Sequence, residues 1–165
     1  MVNYYLVFAT ALIPLVIGAA WYSNALFGKT WFRVAGMTEE KINSGNMALI
    51  FGLVYLLGLF LSVAMMTWSI HQVATQALFA TQEGFSAQTG AYYEFFQSFM
   101  GQYGDLHRSF GHGAVHGAFA GITIALPLIA INSLFERKGW KYILIHAGYW
   151  IVTLILMCGT LCAFA

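Results

Sequence analysis

The residues able to do chemistry in this chain are few, and histidines lead them. His112 and His116 stand four apart in the run FGHGAVHGAFAGITIALPLIAINSL, Phe110–Leu134. A helix of 3.6 residues per turn puts both imidazoles on one face, one turn apart, as in the first two ligands of many helical metal sites. His71, His107 and Asp105 are expected at the same end of the fold and could complete a site for a metal ion or a haem. Glu94, Cys158 and Cys162 fall in the same half. The competing reading is structural, because histidine is amphipathic and can hydrogen-bond across helices. Asp105 could shift the titration of His107, but no nucleophile or carboxylate pair accompanies them, so acid–base catalysis is not indicated. Cys158 and Cys162 lie one turn apart and read as small apolar packing. The glycines are spaced for helix contact rather than for cradling phosphate.

The elements that must position these groups are membrane helices. The sequence is 60% hydrophobic and 8% charged, with a mean hydropathy of +0.72. That lies outside the soluble globular class. Apolar runs of at least 18 residues without Asp, Glu, Lys or Arg cover about 3–26, 47–71, 110–134 and 142–164. The expected fold is all-α: an integral membrane bundle of four transmembrane helices occupying 1–165 as a single domain. The long loop 72–109 carries an amphipathic helix. The first run lacks the basic start and cleavage site of a signal peptide. With little mass outside the membrane, an attached soluble enzyme is excluded.

Charge sets an orientation. Lys29, Arg33 and Lys41 follow the first run, Arg137, Lys138 and Lys141 follow the third, and Arg108 is the remaining one of the seven basic residues. The positive-inside rule places both short basic loops in the cytoplasm, with both termini and 72–109 outside. Trp21, Tyr22, Lys29 and Trp31, with Arg137, Lys138 and Trp140, form interfacial anchors at the inner side. Basic residues mixed with Glu39, Glu40 and Glu136 make no nucleic-acid patch. Thr38 reads as the N-cap of a short helix whose first turn holds Glu39 and Glu40.

Gly113, Gly117, Gly121 and Ala125 recur every four residues and form a smooth stripe for close helix contact. This makes the third helix the expected packing hub. The stripe's expected partner is within the chain, with the first helix at Gly18, Ala19 and Ala20 as the candidate, or else the same stripe of a second copy. Pro14 is expected to kink the first helix. Asn24–Lys29 and Asn132–Arg137 echo one another, as do Pro14 and Pro127, a pattern that either two duplicated helical hairpins or shared interfacial needs would produce. In 91–103, Tyr92, Phe96, Phe99 and Tyr103 share one helical face, with Glu94, Gln97, Ser98 and Gln102 opposite. Thr81–Gly90 reads as an irregular turn.

The segments WYSNALFGKTW, HGAVHG, ALPLIAINSLFERKGWKY and IHAGYWIVTLILM resemble a bacterial family of small four-helix membrane proteins, domain of unknown function 1761. The resemblance covers nearly the whole chain and implies the same topology. It brings no activity, cofactor or site residue with it. No charged group lies in the central third of any run, which disfavours ion-coupled transport. The leading expectation is a non-catalytic protein of the bacterial inner membrane, an accessory or interaction subunit whose partners are the lipid bilayer and another membrane protein or a second copy. The alternatives are a metal- or haem-binding redox protein using the histidines, with the cofactor otherwise unspecified, and a carrier of a lipid or hydrophobic molecule.

Overall fold

Backbone amides that leave water must find partners within their own segment, and the apolar runs meet that demand as helices. The computed structural model describes residues 3–165, and every α- or π-helical or extended element among the described residues is helical. In chain order these are α1 (Leu6–Thr10), α2 (Ile13–Trp21), α3 (Gly28–Ala35), α4 (Glu39–Asn43), α5 (Met47–Ser69), α6 (His71–Phe79), α7 (Gly90–Tyr103), α8 (Phe110–Ala120), a π-helical turn at Gly121–Ala125, α9 (Leu126–Phe135) and α10 (Trp140–Phe164). α8, the π turn and α9 form one rod, Phe110–Phe135. With α5 and α10 it gives three helices long and apolar enough to cross a membrane.

The first run departs from the expected single helix over 3–26. It breaks into α1 and α2 at Ala11–Leu12, and the helix stops at Trp21. Pro14 is the second residue of α2, where its missing N–H costs nothing. Leu6–Trp21 is a shorter apolar segment. At about 1.5 Å per residue it reaches roughly 24 Å, short of a hydrocarbon core of ~30 Å. Pro127 is likewise the second residue of α9, directly after the π turn. Both proline-bearing segments thus accommodate the proline by restarting the helix just before it.

The second run ends at Ser69 rather than 71. Ile70 takes an extended conformation (φ −112°, ψ 102°), and a new helix starts at His71. The stretch 72–109 is therefore largely helical. α7 lies within the expected segment, but its covered stripe is rotated: Phe96 is buried, Tyr93, Phe99 and Met100 are half-buried, and Tyr92 and Tyr103 are exposed. Glu94, Gln97, Ser98 and Gln102 face outward. Thr38 caps α4 by accepting from the Lys41 amide at 3.2 Å. The turn before α7 is irregular, with Gly84 and Gly90 at φ +77° and +83°.

The packing hub is α10, not the third run. In α10, 44% of the most apolar stretch is buried, against 22% in α5 and 17% in Phe110–Phe135. Its Leu154, Met157, Cys158 and Leu161 meet Val7, Met65, Met66, Ile70 and Ala120 in one core. Few polar ties reinforce it. The Thr10 and Ser62 hydroxyls pair, Tyr149 donates to the Pro14 carbonyl at 2.9 Å, and Trp21 Nε1 donates to the Ile145 carbonyl at 3.0 Å.

Candidate metal centre

The break at Ile70 is what makes a site possible. Ile70 is 1% exposed, so the core pins the turn that ends α5 and fixes where His71 emerges at the head of α6. The neighbouring Gln72, also buried, donates its amide to the carbonyls of Tyr103 and Leu106 at 3.0 and 2.9 Å. That latches the end of α7 to the start of α6. On the other side Ser109 caps α8, accepting from the His112 amide at 3.3 Å. His112 and His116 then occupy the first two turns of α8. The adjacent glycine row presses into α10: a Cβ on Gly113 would strike Cys158 and Cys162, on Gly117 the Leu154 carbonyl, and on Gly121 Ile151. Ala125 packs against the edge of the core. The stripe's partner is thus α10. The first helix is not that partner, since Gly18 faces Tyr149 at 3.7 Å and Ala19 and Ala20 are exposed.

Three histidines converge. His112 Nε2 lies 3.0 Å from His71 Nε2 and 3.1 Å from His116 Nε2. One ligand atom from each of the three falls within 4.8 Å of the others. His71 is exposed and the other two are half-buried. His107 is next to them but oriented differently. Its ring stacks on that of His112 at 4.7 Å with an interplanar angle of 19°. Its backbone is left-handed (φ 61°), its carbonyl accepts from the Cys162 thiol at 3.2 Å, and the adjacent Arg108 donates to the carbonyls of Cys162 and Ala165.

The remaining candidates are elsewhere. Asp105 is exposed and lines a groove with Arg108, Phe164 and Ala165. Glu94 is exposed on α7, and Cys158 and Cys162 are buried where α8 meets α10. The expected interfacial anchors gather at the opposite end of the bundle. Tyr22 bonds His146 Nδ1 at 2.9 Å and packs on Trp31 at 5.2 Å. Lys138 and Lys141 sit 5.6 Å over Tyr142 and Trp140 respectively. Lys29 lies in the first turn of α3, and Arg137 ends its helix at φ 57°. Reading by residue type did not reveal the Gln72 latch or the Arg108 tether. The Ser109 cap had a signal, a serine just before an apolar run.

Hydrogen bonding accounts for one of the two short contacts at a time. A neutral imidazole carries one N–H and one lone pair, so each Nε2 is either a donor or an acceptor. One Nε2 facing two others at 3.0 and 3.1 Å cannot make a well-directed hydrogen bond to both. A metal ion placed among them would accept all three lone pairs at once. Tetrahedral Zn–N bonds of about 2.0–2.1 Å put ligand nitrogens roughly 3.3 Å apart, a few tenths of an ångström beyond the two short pairs here, while the His71–His116 pair lies within 4.8 Å. Imidazole ligands suit zinc, copper, iron or nickel.

The chain belongs to the family described as "Protein of unknown function (DUF1761)", whose model matches residues 5–162. The match takes in every apolar run and all the histidines of the cluster. No curated protein and no solved structure matches the chain.

Proposed function

We propose that this member of DUF1761 is a four-pass membrane protein that holds a transition-metal ion at one end of its bundle through His71, His112 and His116. The observation that carries the metal is the meeting of three Nε2 atoms, with His112 Nε2 3.0 Å from that of His71 and 3.1 Å from that of His116. Support for a fourth pass comes from depth. The Tyr4 hydroxyl donates to Gln76 of α6, Val7 joins the core with Leu161 and Ala165 at the end of α10, and Trp21 donates to the Ile145 carbonyl near the start of α10. The short Leu6–Trp21 segment therefore runs alongside most of α10, and a slightly thinned bilayer accommodates it.

Both basic loops then lie at one end and the histidines at the other. The positive-inside rule puts the loops in the cytoplasm of a bacterial inner membrane and the metal centre at the outer side, together with both termini. An impermeant maleimide should label Ser86→Cys and spare Ser44→Cys in intact cells, with Cys158 and Cys162 replaced. The reverse pattern inverts the orientation.

An interaction role is compatible with this site. Leu53, Leu57, Phe60 and Val63 of α5 are exposed, a face that either lipid or a partner helix would cover. The histidines make the sharper claim. Protein purified in mild detergent and dialysed against Zn²⁺ should retain one ion per chain; no saturable binding contradicts the reading.

A further inference from the structure

Three imidazoles fill three positions of a tetrahedral ion and leave a fourth for water or an exogenous ligand, the arrangement of catalytic rather than closed structural sites. What the fourth position faces is therefore decisive. The chain's own candidate to fill it is His107, but that ring lies flat on His112 and presents its face, with its nitrogens outside the converging group. It is also held there: the Cys162 thiol bonds its carbonyl, and Arg108 ties the next residue to the end of α10. The His107 ring thus stacks against one face of the His112 ring.

The other side opens. A cavity of about 470 Å³ is lined by two of the three ligands, His71 and His116, together with Thr67, Trp68, Val115 and Phe119. Trp68 and Phe119 stack at 6.5 Å and 21°, forming an aromatic wall. The Thr67 hydroxyl donates to the Val63 carbonyl at 3.3 Å, so the lone pairs of the histidine nitrogens, the Thr67 oxygen and the Trp68 indole N–H are the polar groups at the cleft. Trp68, Val115 and Phe119 are all exposed on the flank of helices long and apolar enough to cross a membrane, and that apolar flank is the side a bilayer would cover.

We infer that the metal centre is open, and that its fourth position takes a neutral, bilayer-dissolved molecule with a ring-sized apolar body and one oxygen or nitrogen donor. The donor atom binds the ion and the ring lies against Trp68 and Phe119. This rests on the metal reading above, and the test separates the two.

Cobalt(II) reports coordination through its visible bands, so the Co²⁺-loaded protein is titrated with imidazole and with 4-phenylimidazole. Both should shift the spectrum, and the phenyl probe should half-saturate at least about tenfold lower, the effect of burying one ring. Phe119→Ala should shrink that preference to roughly threefold or less while leaving Co²⁺ affinity unchanged; because detergent uptake of the probe is the same in both proteins, the difference reports the cleft. His107→Phe keeps the stack without a ligating nitrogen and should bind Co²⁺ as the native chain does. Bound Co²⁺ whose bands ignore both probes would show a closed site and overturn this inference alone. Equal affinity for the two probes would remove the lateral cleft, and loss of Co²⁺ in His107→Phe would make His107 the fourth ligand. Failure to bind Co²⁺ at all would overturn the metal reading and this one with it.

Discussion

Gly117→Leu is expected to destabilise the fold by about 3 kcal/mol or more, the upper end of overpacking costs, because the obstacle is backbone. A Cβ at Gly117 already collides with the Leu154 carbonyl, and the neighbouring contact is the Ile155 Cα. Neither can step aside as a flexible side chain would. In lipid there is no escape from water to drive helices together, so close van der Waals fit must hold them. Losing the α8–α10 contact therefore costs more here than the same change on a soluble surface. Gly52→Leu is the matched control, since a Cβ there meets nothing within 4 Å. Stepwise unfolding in SDS, followed by far-UV circular dichroism, should show Gly117→Leu unfolding well before the native chain and Gly52→Leu unfolding with it. A Gly117→Leu protein as stable as native that merely loses an oligomer would mean the stripe serves contact between chains.

His112→Ala should lower metal affinity at least about 100-fold. Outer-shell partners of metal ligands already cost 10–100-fold when removed, and His112 is the shared member of both short nitrogen pairs. His71→Ala and His116→Ala should follow it. His146→Ala should leave affinity unchanged, because His146 sits at the opposite end with Tyr22. Competition against a zinc-sensitive dye reads all four. If the histidines only hydrogen-bond, the three cluster variants will alter stability slightly and metal affinity not at all.

The spans were legible because composition alone decides them. α5 and α10 follow uninterrupted apolar runs, and the loops between them carry the charges. The Thr38 cap was legible too, since a cap depends on one side chain and its own amides. The partner of the glycine stripe was not. Small residues announce that something comes close, but the facing surface of α10 is ordinary apolar sequence around Leu154 and Cys158. α6 escaped because the run ending at His71 shows no proline or glycine at Ile70 to mark the break; tertiary burial of Ile70 makes it. The spacing of His112 and His116 supplied one edge of the site. The other edge needed His71 to be turned by that break, a long-range effect that residue spacing does not announce. The rotation of α7 has the same origin, since Phe96 is buried against Phe79 and Phe85, partners that periodicity cannot identify.

X-ray absorption at the zinc K-edge, on protein carrying one equivalent of Zn²⁺, counts the ligands of the ion and identifies their atoms without reference to any structure. The account predicts a first shell of nitrogen and oxygen at about 2.0–2.1 Å whose outer-shell scattering fits three imidazoles and one light non-imidazole ligand. A sulfur shell near 2.3 Å would move the ion to Cys158 and Cys162, and a shell of oxygens without imidazole scattering would remove the site altogether; either result contradicts the account.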